Sequence, residues 1–174
     1  MCCNFLPGAI RSRGRILSRG LVRFANTQAM CTSFKQEVLQ GIHALGTSVV
    51  RGSTAADTIK AALFLATATL GAATATYSTT GEVTGTGYSA GGVTVTNATA
   101  PTTSGTTAFW TPSASIVFTG VTLPTAFDAV LLYNSTQGNK AISVHTFGSQ
   151  TVTAGNFTLT MPTNDATNAL IRFA

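Results

Sequence analysis

Charged residues are scarce in this chain, because only 9% of its 174 residues are Asp, Glu, Lys or Arg. An average soluble protein has roughly 25%. With so few charges, separate copies have little electrostatic protection against association. We therefore expect neighbouring subunits to cover much of the surface.

Residues 1–29, which we call the leader, contain no acidic residue, so the formal net charge of +5 comes from this segment. Beyond this leader, five basic residues balance five acidic ones. The pI of about 9.6 therefore describes the leader, and we expect no nucleic-acid contact except through it. Its basic residues are Arg11, Arg13, Arg15, Arg19 and Arg23.

Three interpretations fit the leader. An Arg-rich, acid-free segment with interspersed apolar residues is typical of an organellar transit peptide. It is also suited to a basic arm that contacts nucleic acid or an acidic neighbour. The abrupt change in composition at Met30 favours the third interpretation, in which translation starts at Met30 and the leader is not part of the natural protein.

Cysteines and long apolar runs are also few. Only Cys31 lies beyond the leader, so an intradomain disulfide is excluded and stability must come from the core and from assembly. The longest apolar run, residues 61–66, is much shorter than the roughly 18 residues of a membrane span. We expect no membrane segment.

Threonine is abundant, with 31 residues between Met30 and Ala174, and β-branched residues favour strands. Short apolar or alternating segments with Gly, Pro and Asn between them predict a single antiparallel β-sandwich over 53–174, of jelly-roll or immunoglobulin-like type. The predicted strands are 59–65, 93–98, 106–111, 115–123, 126–134, 140–148, 156–162 and 169–174.

One short amphipathic helix is predicted before the sandwich, so that residues 30–52 form a helix and a link. Apolar residues recur at helical spacing and form a stripe, and the helix is predicted to end at Gly46. The stripe consists of Phe34, Val38, Ile42 and Leu45.

The connections predict the topology of the C-terminal half. Residues 134–139 and 153–156 have hairpin-loop composition, so residues 115–174 are predicted to form an antiparallel meander. Residues 66–90 lack a reliable period and are predicted to form a long surface loop.

The glycine-rich turn 87–91 fits the G-x-S-x-G elbow of serine hydrolases, and Asp128 and His145 follow Ser89 in the order of a catalytic triad. The elbow needs a helix after the serine, whereas a strand is predicted here. We therefore expect a turn in which Tyr88 is more buried than Ser89, with a hydrolase as a remote alternative.

Cofactor and metal sites are not expected. A G-x-G-x-x-A dinucleotide pattern starts at Gly85, but it also lacks the following helix that would bind the pyrophosphate. His43 and His145 are not spaced as metal-ligand pairs.

Two aromatic residues, Trp110 and Tyr133, are candidates for a glycan-stacking platform. The competing interpretation is core packing, because alternation along a strand turns one of the adjacent residues Phe109 and Trp110 inward.

Several segments, taken in order, resemble a group of small tailed-phage virion proteins over about residues 31–174. In that group the glycine-rich turn is similar to G-x-G-Y-x-A-G-G, and the position of Ser89 accepts other small polar residues, which a nucleophile would not permit. The segments are EVLQGIHALG, TIKAALFL, GEVTGTGYSAGGVTVTN, FDAVLLYN, HTFGSQTVTAGNFTLTMP and DATNALIRFA.

The resemblance implies a non-enzymatic virion protein, assembled in the bacterial cytoplasm. The expected role is a capsid decoration or cement protein that self-associates, with a trimer as one option, and binds the major capsid protein. The alternative is a tail or fibre subunit with a glycan-binding or receptor-binding role.

Overall fold

The computed structural model describes residues 26–39, 41–43, 45 and 56–173. The leader arginines Arg11, Arg13, Arg15, Arg19 and Arg23 lie outside these residues. The described chain is mainly β, and its strands form two antiparallel sheets. Its elements are β1 (Ala29–Met30), α1 (Thr32–Leu39), β2 (Ile59–Leu65), β3 (Val93–Thr94), β4 (Thr102–Ser104), β5 (Thr107–Trp110), β6 (Ile116–Asn134), β7 (Lys140–Leu159) and β8 (Ile171–Phe173).

The larger sheet has the strand order β1-β7-β6-β2-β3, and the smaller sheet has the order β4-β5-β8. Both sheets contribute to one hydrophobic core, in which Trp110 and Ile171 of the smaller sheet join Leu63, Leu131 and Ile142 of the larger one. Burial of this apolar surface is the main stabilising term of the fold.

Strand β2 confirms the prediction for residues 59–65. Its central residues Ala61, Ala62, Leu63 and Phe64 are all buried. Because successive side chains of a strand point to opposite faces, both faces of β2 are covered. A strand covered on both faces has a continuous apolar sequence, and this apolar run is the feature from which residues 59–65 were predicted to form a strand.

Strands β6 and β7 differ from the prediction. Residues 115–123 and 126–134 were predicted as two strands, and so were 140–148 and 156–162. Each pair is one long strand, of 19 residues in β6 and 20 in β7. The hairpin between them is confirmed, since Asn134 pairs with Lys140 across the predicted turn.

The predicted hairpin at 153–156 is wrong. These residues lie within β7, where Val121 of β6 pairs with Gly155. The register shifts on both sides of Val121, and Gly120 has φ +62° while Ala154 has φ +46°. The Gly and Asn residues of segment 153–156 therefore belong to β-bulges in a continuous ladder. Bulges and turns have similar compositions, so the sequence pattern did not distinguish them.

The predicted meander is also wrong at its end. Strand β8 does not follow β7 in the larger sheet but pairs with β5 in the smaller one, with Phe109 opposite Arg172. The intervening residues 160–170 contain an Asx-type turn, in which Asp165 Oδ1 accepts hydrogen bonds from the backbone N–H groups of Thr167 and Asn168. This turn redirects the chain out of the larger sheet.

Helix α1 packs on the larger sheet through Phe34, which is fully buried, and Val38, which contacts the core. Residues 66–90 form no strand of either sheet, but they are not entirely superficial. Glu82 and Val83 are buried, and an isolated bridge joins Glu82 to Phe64.

Candidate functional site

Trp110 and Tyr133 do not form an exposed platform. Each side chain is only 2% exposed. The Trp110 indole N–H donates to the Thr99 carbonyl at 3.1 Å, and the Tyr133 hydroxyl donates to the Gly91 carbonyl at 2.8 Å. This corrects the glycan-platform interpretation, because neither ring has a face open to a sugar. In β5 both adjacent aromatic residues, Phe109 and Trp110, are buried.

The three residues of the hydrolase interpretation are not brought into one hydrogen-bonded triad. Ser89 is exposed on the glycine-rich turn, whereas His145 lies on β7 with its Nε2 atom 2.9 Å from Ser143 Oγ. Asp128 Oδ1 instead accepts a hydrogen bond from Asn26 Nδ2 at 2.6 Å. Asp128 and His145 thus each have a partner other than the residues of the triad.

A buried carboxylate organises the glycine-rich turn. Glu82 is 6% exposed, and it accepts hydrogen bonds from the hydroxyls of Tyr77 at 2.5 Å and Tyr88 at 2.7 Å and from the backbone N–H of Gly91 at 2.8 Å. With Tyr133, whose ring stacks on Tyr77 at a centroid distance of 4.5 Å, these residues form the Glu82 cluster. It contains all three tyrosines of the chain.

The Glu82 cluster is suited to stability rather than to chemistry. Burial and the hydrogen bond to Glu82 raise the pKa values of the Tyr77 and Tyr88 phenols, which therefore stay protonated as donors. The Tyr88 hydroxyl also accepts the backbone N–H of Leu63 at 3.0 Å. Tyr88 is half-buried and Ser89 exposed, as the sequence predicted.

The turn lies directly against β2. A Cβ atom built on Gly92 would be 1.8 Å from the Ala61 carbonyl oxygen, and Gly92 has φ +66°. Only glycine fits this backbone approach and this conformation. Within the G-x-S-x-G pattern itself, a Cβ atom built on Gly87, which has φ +77°, would be 2.3 Å from the Gly120 carbonyl oxygen of β6. The pattern therefore reflects packing of the turn on the sheet.

A second polar cluster joins α1 to the β6–β7 hairpin. Glu37 accepts a hydrogen bond from Lys140 Nζ at 2.5 Å and lies 2.7 Å from His43 Nε2. On its other side, His43 Nδ1 is 3.0 Å from Asn134 Nδ2, which also donates to Asp57 at 2.8 Å. These five residues form the Glu37 cluster.

The Glu37 cluster fixes the protonation state of His43. Because Asn134 Nδ2 is a donor, Nδ1 must accept and the proton must lie on Nε2, where it is donated to Glu37. Burial lowers the pKa of His43, although Glu37 opposes this. Burial alone would raise the pKa of Glu37, but the hydrogen bonds from Lys140 and His43 outweigh it and the pKa is lowered.

Neither histidine is a strong base at neutral pH, although His145 Nε2 lies 2.9 Å from the hydroxyl of the buried Ser143. Both ring nitrogens of His43 are engaged within the Glu37 cluster. Burial, reinforced by the Glu37 carboxylate, raises the pKa of the Cys31 thiol to about 11, so this cysteine stays protonated. His145, whose pKa burial lowers to about 4, is a weak base at neutral pH.

His145 lines a cleft that has a volume of about 540 Å³ and lies between β7 and the residues that precede β8. Gln28, Asn168 and Arg172 also line it. The guanidinium of Arg172 is hydrogen-bonded to the Thr167 carbonyl. The guanidinium is therefore partly engaged within the protein.

The most distinctive surface is an open strand edge. Residues 116–126 of β6 and 148–159 of β7 form a two-stranded extension of the larger sheet, which we call the ribbon. One face of the ribbon packs inward through Phe118 and Phe157, and the ring of Phe157 also contacts that of Phe127 just beyond the ribbon. On its outer side, the β7 part pairs with no strand among the described residues.

The sequence did not identify the Glu82 and Glu37 clusters, because single acids in Gly- and Thr-rich stretches follow no pattern. The signal available in the sequence was the small number of acidic residues. Among only five acids in the chain, Glu37, Asp57 and Glu82 are buried, and buried carboxylates require partners.

Comparisons with protein-family models, curated proteins and solved structures found no match to this chain. Among the described residues, no helix is long and apolar enough to cross a membrane. The same part of the chain contains no group of three or more His, Cys, Asp or Glu side chains arranged to hold a metal ion.

Proposed function

We propose that this chain is a non-enzymatic structural protein of a tailed-phage virion, in which the two sheets pack as a β-sandwich behind a short N-terminal helix. Its role is that of a decoration or cement protein, which self-associates and binds the major capsid protein. It is assembled with the particle in the bacterial cytoplasm.

The open, uncharged edge of β7 carries this proposal. From Gly148 to Leu159 the strand has no ionisable side chain, and most of its residues are exposed. An unpaired edge of this kind is a site for strand addition by another chain. A monomeric soluble protein normally protects such an edge with charge, proline or β-bulges. Residues 148–159 lack charge and proline, and the register shifts opposite Val121 and Leu123 are the bulges that interrupt them.

The internal polar groups support the same conclusion. The carboxylates of Glu37 and Glu82 and the histidine His43 are buried and hydrogen-bonded to one another or to tyrosine, lysine and backbone groups. They stabilise the fold, and none of these three groups is exposed for acid–base catalysis. The sequence resemblance to small tailed-phage virion proteins supplies the biological setting.

Binding to particles tests the proposal. Purified phage particles are digested and their peptides identified by mass spectrometry, and tagged protein is sedimented with particles that lack it. We expect peptides from residues 30–174 in the particles and saturable co-sedimentation with heads. Immunogold labelling restricted to the tail would favour the tail or fibre alternative, and absence from particles together with no co-sedimentation would refute both.

A further inference from the structure

The cleft beside His145, with its volume of about 540 Å³, adjoins a smaller space of about 240 Å³, which we call the recess. Gln28, His145 and Leu170 line both spaces, so the two lie side by side. The cleft opens to solvent, because Gln28 and Asn168 on its rim are exposed. A concave space of this size is typical of a ligand-binding site.

The recess is lined mainly by apolar side chains. Val130 and Leu132 of β6 form its floor, since residues two apart in a strand share a face, and both are buried. His145 lies opposite Val130 in the β6–β7 ladder and borders both the recess and the cleft. The recess therefore suits an apolar group and disfavours a charged one. Its other apolar lining residues are Ile116, Phe147, Leu159, Met161 and Leu170.

The cleft contains one cationic group and one histidine nitrogen without a protein partner. The Arg172 guanidinium donates to the Thr167 carbonyl, but it has five N–H donors and forms no ion pair with a described residue. His145 Nε2 is engaged with Ser143, whereas its Nδ1 has no hydrogen-bond partner among the described residues. The cleft therefore favours an anionic group that accepts hydrogen bonds.

None of the described residues that line the cleft is acidic. Asp165 lies close enough to Arg172 to feel its charge, but its carboxylate is held by the backbone N–H groups of Thr167 and Asn168 and by the side-chain amide of Asn168. Asp165 thus weakens the attraction of Arg172 for an anion without occupying its remaining donors.

His145 can donate a hydrogen bond into the cleft. Because burial lowers its pKa to about 4, the imidazole is neutral at pH 7 and carries one N–H. When the Ser143 hydroxyl donates to Nε2, that proton lies on Nδ1 and is available to an acceptor in the cleft. A carboxylate bound there would raise the pKa of His145, since a nearby negative charge favours the imidazolium.

We propose that the cleft and the recess bind the C-terminal residue of a partner peptide, with its carboxylate at Arg172 and His145 and its apolar side chain in the recess. Gln28 and Thr107 also line the cleft, and their side chains have no hydrogen bond to another described residue. They hydrogen-bond the peptide backbone that precedes the terminal residue. A simple alkanoate would leave these two groups unused.

This inference concerns a different surface from the open edge of β7 and does not depend on the proposed function. Calorimetric titration of the full chain at pH 7 with the peptide acetyl-Gly-Ser-Gly-Leu, as the free acid, tests it. We expect saturable binding, and at least about tenfold weaker binding of the C-terminal amide. Replacement of the terminal leucine by glycine should also weaken binding, because the recess is then left empty.

Substitutions in the protein test the same two contacts. Arg172→Gln should weaken binding of the free acid at least about tenfold. Lys60→Gln is the matched control, because it also removes one positive charge but Lys60 lines neither the cleft nor the recess. Met161→Trp fills part of the recess and should weaken binding as much as loss of the peptide's leucine does. Thermal unfolding checks that each variant is folded.

Proton NMR of the His145 imidazole gives a readout at the site itself, with His145→Gln to assign the resonance. The free acid should raise the pKa of His145, and the amide should leave it unchanged. Equal binding of acid and amide, no binding of the acid, or unchanged affinity in Arg172→Gln would overturn the proposal. Octanoate binding as tightly as the peptide would assign the cleft to alkyl carboxylates instead. None of these results alters the particle-binding test of the proposed function.

Discussion

The Tyr88 hydroxyl links two parts of the molecule that are distant in sequence, since it donates to Glu82 Oε1 at 2.7 Å and accepts the backbone N–H of Leu63 at 3.0 Å. One side-chain atom thereby joins the glycine-rich turn to the central strand β2. The neighbouring Ser89 is exposed and contributes nothing to this link.

Removing that hydroxyl should destabilise the fold. Tyr88→Phe leaves the Leu63 N–H and one Glu82 oxygen short of a partner, and an unsatisfied buried group costs about 1–3 kcal/mol. Urea unfolding should show this decrease in the free energy of unfolding. Ser89→Ala is the matched control and should change it by less than about 0.5 kcal/mol; an equal effect of both substitutions would contradict the role given to Tyr88.

The close approach of the turn to β2 predicts a larger effect at Gly92. In Gly92→Ala the new Cβ would be 1.8 Å from the Ala61 carbonyl oxygen, so the turn must move away from the sheet. We expect a loss of at least about 3 kcal/mol. Gly138→Ala is the control, because Gly138 has a similar φ of +65° but no atom within 4 Å of the added Cβ.

The control at Gly138 should lose only about 1 kcal/mol through backbone strain. Thermal or urea unfolding of the two variants checks the difference. Similar losses would show that conformation alone, and not contact with Ala61, requires glycine in the turn.

The sequence predicts those parts of the fold that depend on local pattern. Strand β2 was identified because burial of both faces requires an unbroken apolar run, and the 134–139 turn because its residues include Gly138 and Asn139, which adopt positive φ. The long strands β6 and β7 were predicted in pieces. Gly120, Pro124 and Gly155 have the composition of strand ends, but the ladder continues through them as bulges.

The candidate sites depend on contacts between distant residues, and these have no local signal. Tyr88 and Glu82 are close in sequence, yet their partners Leu63 and Tyr133 lie in strands far along the chain. The burial of Trp110 was one of two alternatives left by alternation in β5. The lack of charge in residues 148–159 of β7 is visible in the sequence, but the position of these residues at a sheet edge is set by the topology.

The ion pair between Glu37 and Lys140 should matter for the attachment of α1. Lys140→Met leaves the buried Glu37 carboxylate with fewer partners, and we expect a loss of about 1–3 kcal/mol in the free energy of unfolding. Because the charge of Lys140 contributes to the lowered pKa of His43, that pKa should rise in the variant. Proton NMR of the imidazole during a pH titration checks this shift.

A double-mutant cycle with Glu37→Gln is the control for the ion pair. If the two side chains interact, the double variant should lose less free energy of unfolding than the sum of the losses of the two single variants. Additive losses and an unchanged His43 titration would show that Lys140 acts independently of Glu37.

The stability of the fold should decrease as the pH falls below neutral. Burial lowers the pKa of His145 from 6.5 to about 4, so the folded state favours the neutral imidazole. The neutral His145 side chain contributes up to about 3 kcal/mol to the free energy of unfolding. This contribution is fully present above pH 6.5 and is lost as the pH falls towards 4. The lowered pKa of Glu37 adds a further loss at the acidic end, because folding also favours the ionised carboxylate.

The variant His145→Gln isolates the histidine contribution, since glutamine keeps a polar group near Ser143 but does not titrate. Urea unfolding at pH 7.5 and pH 4.5 should show a clearly smaller pH-dependent loss in the variant than in wild-type protein. His43, whose pKa burial also lowers, should supply part of the remaining loss, and His43→Gln measures that part. If wild-type protein and His145→Gln lose the same free energy over this range, protonation of His145 does not limit stability at low pH.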